Sequence, residues 1–143
     1  LAPQEDYKGY RPTYAKMKSP KNGQGAVKQS AETASMQGRE LDANVIEALE
    51  RFILNAKQKG TRIALAISPN LESADFSGNR SLERTRSLAK KHAVPVMDFS
   101  NAPEFLRKYE LFADAGHLND SGARLYSEMV ANQIKNLSCG PYR

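Results

Sequence analysis

The chain has 143 residues and a mass of 15.8 kDa, enough for one domain of ordinary size with its own core. It carries 21 Lys and Arg against 16 Asp and Glu, a net charge of +5, with two histidines and a single cysteine, Cys139. That inventory closes no intrachain disulfide and makes no four-ligand zinc site without carboxylates, and no apolar run approaches the roughly 18 residues of a membrane span.

Residues 1–40 show neither helical nor strand periodicity; glycines and prolines punctuate a polar background with a few large apolar groups, Tyr7, Tyr10, Tyr14 and Met17 among them. This predicts an extended arm or long loop, pinned by its tyrosines. From Leu41 the pattern changes. Leu41, Val45, Leu49, Phe52, Ile53 and Ala56 recur at helical spacing, and Gly60 supplies a stop. Arg62 to Ser68 is a short apolar run that predicts a strand ending at the turn signal Pro69-Asn70. A polar loop over 70–80 precedes a second helix from Ser81 to about His92, and Val94 to Phe99 predicts a second strand. Ser100 or Asn101 caps a short helix expected through Lys108. After a loop over 111–118, Asn119 caps a final helix with Leu125, Tyr126, Met129, Val130, Ile134 and Leu137 inward.

Helix, strand, helix, strand, helix is the order of an α/β domain with a parallel sheet. Ile63 to Ile67 is apolar on both faces, as in an interior strand that needs neighbours on both edges. Pro95 confines the second strand to an edge. At least one strand neighbour is therefore expected from outside these two runs. The chain opens at Leu1 rather than at a methionine, and we expect that an upstream segment has been removed.

The basic balance raises nucleic acid as a partner, but its distribution argues against one. Residues 1–40 hold seven basic and four acidic residues, the remainder fourteen and twelve. Arg80, Arg84 and Lys91 share a helix face with Glu83 among them and no aromatic interleaved, the pattern of a solvated face. The N-x-S/T sequons at Asn79, Asn119 and Asn136 are what nine asparagines supply by chance. His92, at a helix end, suits a structural role against the C-terminal dipole.

The chemistry concentrates in Phe112-Ala-Asp114-Ala-Gly-His117-Leu-Asn119-Asp-Ser-Gly122. An Asp three residues before a His, on a loop leading into a helix, can turn its carboxylate onto the imidazole and fix its tautomer. The contact calls for a carboxylate oxygen within roughly 2.6–3.2 Å of Nδ1. The same two residues also suit a turn-forming aspartate and a histidine at a helix start, so the pair alone leaves both uses open.

Joined to His117-Leu-Asn119, Gly122 and an amphipathic helix, the segment resembles the closing block of the SGNH (GDSL-type) hydrolases, and residues 41–137 resemble that fold's final helices and strands. Lys8-Gly9-Tyr10-Arg11-Pro12 is similar to a segment of a bacterial subgroup. The resemblance implies a flavodoxin-like three-layer sandwich with a parallel sheet, strand order 2-1-3-4-5, of which this chain supplies the last strands and helices. It implies that Asp114 and His117 are the Asp and His of a serine ester hydrolase, lipase-like in class. The substrate would be an acylated carbohydrate, with no cofactor or metal and an extracytoplasmic location. The family's Gly-Asp-Ser nucleophile block and its oxyanion donors are not in this chain. Ser77-Gly78-Asn79 has the letters but lies in a later loop, and Ser68 is a turn hydroxyl beside Pro69. The partner expected is a missing N-terminal half or a second copy of the chain, with the isolated chain inactive. The alternative is a non-catalytic glycan- or protein-binding scaffold of the same fold, with a 69–80 loop and tyrosine-bearing arm as its contact surface.

Overall fold

A computed structural model describes residues 12–19, 43–73 and 75–139 of the protein, with the backbone alone for Ser138 and Cys139. These residues make a mixed α/β structure of three α-helices and a two-stranded parallel sheet. No helix among them is long and apolar enough to cross a membrane. They divide into two compact units, residues 43–67 with 75–97, and residues 12–19 with 68–73 and 98–139. The boundary expected at residue 40 and the Gly9-Tyr10 segment lie outside the described residues.

The first unit runs α1 (Ala43–Gln58), β1 (Leu65–Ile67), α2 (Arg80–Lys91) and β2 (Val96–Asp98), of which Asp98 already counts with the second unit. Ile53, Leu88, Ala89 and Val94 form its core, with Ile46, Leu49 and Leu65 packed against them. Of the α1 face expected to be buried, Ile53 is fully enclosed, whereas Val45 and Phe52 remain 50% and 60% exposed. At 100° per residue these two lie on the side of α1 turned away from Glu50, which faces α2. The apolar arc is thus wider than the surface α2 and the strands cover. Gly60, at φ +70°, ends α1 in the left-handed region, and Thr61 N–H closes the helix onto Ala56 O at 2.8 Å.

Both strands are shorter than the runs 62–68 and 94–99 suggest. Leu65 N–H donates to Pro95 O at 2.9 Å, where the ladder begins. It cannot extend backwards because Pro95, whose carbonyl faces β1, has no N–H to give it, and Val94 is held in the turn that closes α2 by its N–H bond to Ala89 O at 2.8 Å. Leu65 and Ile67 are half-buried and Ala66 is exposed, so β1 lacks the two covered faces of an interior strand among the described residues. Asn79 starts α2 by accepting Leu82 N–H on Oδ1 at 3.0 Å, ahead of the start expected at Ser81. His92 closes the same helix. Its Nε2 and Lys91 Nζ each lie 2.7 Å from Glu50 Oε1, and Lys57 Nζ donates to His92 O, so α1 and α2 are clamped at that end. The Lys91 bond, then the His92 bond, holds the Glu50 carboxyl below its usual range.

In the second unit the short helix expected over 100–108 is replaced by successive turns. Ser100 Oγ bonds back to Asp98 Oδ1 at 2.6 Å instead of capping forward. Arg107, at φ +59°, gives its N–H to Leu71 O at 2.7 Å and takes no helical partner. The turns carry Phe105 to a buried edge-to-face contact with Phe112, ring centroids 6.5 Å apart. A 3-10 helix at Tyr109–Leu111 then leads to α3 (Asp120–Cys139). Asn119 caps α3 as expected, accepting Gly122 N–H on Oδ1 at 3.0 Å. Of the inward face expected for α3, Ile134 is exposed.

Gly122 has a packing reason. A Cβ at this position would meet Leu111 O at 2.1 Å and Leu118 Cδ2 at 3.0 Å, so α3 sits against the 3-10 helix only without a side chain there. Gly122→Ala should therefore destabilise the protein by about 1–3 kcal/mol, the range of overpacking, despite Ala being the better helix former. Thermal unfolding of the two chains checks this.

Candidate functional site

Asp114 and His117 occupy the tip of a narrow loop in the second unit. Phe112 and Leu118 form an antiparallel bridge at its base, and Ala113 N–H donates to His117 O at 2.8 Å. Asp114 Oδ1 accepts Gly116 N–H at 2.9 Å and His117 N–H at 3.0 Å, an Asx-type turn that folds the tip. The same oxygen lies 2.8 Å from His117 Nδ1, with Oδ2 at 3.1 Å. Asp114 is both turn former and histidine partner, so the two uses open in the sequence are combined in one carboxylate.

The carboxylate has only lone pairs to offer, which makes Nδ1–H the donor and leaves the lone pair of a neutral imidazole on Nε2. Nε2 has no partner among the described residues. The His117 and Asp114 side chains are 81% and 63% exposed, so Nε2 faces solvent rather than core. The Gly116 N–H first, then the His117 ring, holds the Asp114 carboxyl below its usual range. The arrangement fixes the ring through Nδ1 and presents the Nε2 lone pair as an acceptor.

The described hydroxyls in the sequence's candidate positions are placed otherwise. Ser77 gives its N–H to Asp75 Oδ1 at 2.8 Å and its Oγ to Asp75 Oδ2 at 2.9 Å. Gly78 turns the chain at φ +75° and Asn79 caps α2, so Ser77-Gly78-Asn79 is a turn and a helix start in the first unit. Ser68 follows β1 directly and is exposed. Among the described residues no three His, Cys, Asp or Glu side chains gather into a metal site.

Sequence reasoning missed how the arm meets this loop. Met17 N–H donates to Phe112 O at 2.9 Å, Asn119 Nδ2 to Ala15 O at 3.2 Å and Asp120 N–H to Thr13 O at 2.8 Å. The arm is pinned here through its backbone, with Tyr14 70% exposed rather than acting as the pin; Tyr7 and Tyr10 lie outside the described residues. Backbone pinning of this kind has no side-chain signature.

A lowered carboxyl pKa contributes stability that is present above the ordinary carboxylate range and lost as pH falls through the depressed value. Asp114 should therefore titrate below a model carboxyl by side-chain NMR. In His117→Ala it should move up but stay below the ordinary value, because the Gly116 bond remains.

Comparison with protein-family models, with curated proteins and with solved structures finds no match to this chain.

Proposed function

We propose that this chain is the acid–base part of a serine ester hydrolase of the SGNH (GDSL) type, with Asp114 and His117 as the Asp and His of its triad. The observation that carries the proposal is the 2.8 Å contact between Asp114 Oδ1 and His117 Nδ1, with Nε2 left open to solvent. In this reading Nε2 takes the proton of a serine hydroxyl as that oxygen attacks an ester carbonyl and gives it to the departing alcohol as the acyl-enzyme forms; it then takes a proton from the attacking water and gives it to the serine oxygen as the carboxylic acid leaves. Asp114 holds the ring and stabilises its cation.

The serine and the oxyanion donors come from a missing N-terminal half, and the strand neighbour of β1 from that half or from a second copy of the chain. That half would also bring the further strands of a flavodoxin-like sandwich. Two features support this: β1 has a strand on one edge only among the described residues, and the apolar arc of α1 runs past its covered side to Val45 and Phe52. The substrate class that goes with this reading is an O-acylated carbohydrate, and the location extracytoplasmic in a bacterium.

One observation favours a second reading, a non-catalytic glycan- or protein-binding scaffold of the same fold. The two backbone bonds to Asp114 Oδ1 would hold this loop in shape with no catalysis at all.

A fluorophosphonate serine probe separates the two. The 143-residue chain should remain unlabelled. A polypeptide extended upstream in its gene through a strand followed by Gly-Asp-Ser should label stoichiometrically and hydrolyse an aryl ester. In it His117→Ala should remove most of kcat, on the order of 10³-fold or more, and Asp114→Asn less. An extended polypeptide that neither labels nor hydrolyses leaves the scaffold reading.

A further inference from the structure

We infer that residues 13–18 form a binding strap for an acidic polysaccharide, laid alongside the Asp114–His117 loop. The strap's backbone faces the loop at every second residue. Thr13 O accepts Asp120 N–H at 2.8 Å, Ala15 O accepts Asn119 Nδ2 at 3.2 Å, and Met17 N–H donates to Phe112 O at 2.9 Å. This is the period of an extended chain, in which side chains two apart share a face at about 6.5–7 Å intervals. Tyr14, Lys16 and Lys18 are therefore one row, and all three are exposed.

The row has a definite chemistry. Neither lysine has a carboxylate at salt-bridge distance among the described residues, and no acidic residue stands between Pro12 and Ser19. An exposed tyrosine ring offers an apolar platform with a polar tip, which suits the C–H face of a pyranose. The two ammonium groups beyond it suit carboxylates on successive sugars. A strand of nucleic acid would call for aromatics interleaved with the cations, and the row has one aromatic at one end.

Position gives the row its meaning. Met17 is bonded to Phe112, Phe112 is bridged to Leu118, and Leu118 follows His117. The strap is thus tied to the base of the loop that carries the histidine which, in the proposed function, handles the proton of ester cleavage. The inference rests on that reading for the identity of the ligand as an acylated acidic glycan. The binding itself is measurable without catalysis.

Affinity electrophoresis of the 143-residue chain through gels containing polygalacturonate, neutral dextran or oligo(dT) tests it. Polygalacturonate should retard the chain, and dextran should not. Lys16→Gln with Lys18→Gln should weaken retardation about tenfold in apparent affinity, and Tyr14→Ala should weaken it as well. All three side chains are exposed, so the fold should survive, which circular dichroism verifies. Lys108→Gln with Lys135→Gln, an equal charge change at two exposed lysines outside the strap, should bind as the parent chain does. Equal retardation by dextran, equal or stronger retardation by oligo(dT), or unchanged binding in the strap variants overturns the inference. Retention by polygalacturonate with no phosphonate labelling of the extended polypeptide supports the strap and removes the hydrolase reading.

Discussion

The buried amide of Asn119 holds the second unit together. Its Oδ1 takes Gly122 N–H, its Nδ2 gives to Glu110 O at 2.7 Å and to Ala15 O at 3.2 Å, and its own N–H gives to Leu111 O at 3.0 Å. One side chain thus joins the start of α3, the 3-10 helix and the strap. Only 2% of the residue is exposed, so no water could take over these bonds. Removing the amide would strand buried partners, at a cost of about 1–3 kcal/mol for each group left unsatisfied. Gly122 follows from the same junction, since the close approach of α3 to Leu111 O leaves no room for a Cβ. The Asp114–His117 loop is anchored at this junction, two residues before Asn119.

The first unit relies on apolar packing with one charged clamp. Ile53 and Ala89 are fully enclosed, and Glu50 joins α1 to the end of α2 through Lys91 and His92. Packing is one-sided. Ala66 on β1 and Phe52 on α1 stay exposed while their neighbours Leu65 and Ile53 enter the core. Among the described residues β1 is paired on one edge only, and a parallel strand edge beside exposed apolar surface is in general a template for pairing.

The dyad is formed but open. Charge stabilisation at a catalytic histidine gains most of its strength where water is excluded. At 81% exposure the His117 ring works in a medium close to bulk solvent. The loop's own bonds give geometry, with Asp114 spending one oxygen on two backbone N–H groups and the ring together. Enclosure, a nucleophile and oxyanion donors are separate requirements, which the described residues around this loop do not meet. Geometry precedes environment in this site, because an i to i+3 contact needs only local chain, whereas desolvation needs distant surfaces.

The sequence by itself determined what short-range physics controls. Helical periodicity located α1, α2 and α3, two apolar runs located the strands, Asn119 announced a helix cap, and Asp114 three residues before His117 announced their contact. The helices, the cap and the Asp114–His117 contact rest on bonds within about four residues, which side-chain type decides, and the strands show as short apolar runs. The tertiary structure decided where backbone donors with several possible partners were spent. Arg107 N–H went to Leu71 O and dissolved the helix expected over 100–108. Met17 N–H went to Phe112 O and turned a featureless arm into a strap beside the dyad. Every residue but proline carries the same N–H and C=O, so the choice among distant partners leaves no mark in the side chains and is made only when the chain is packed.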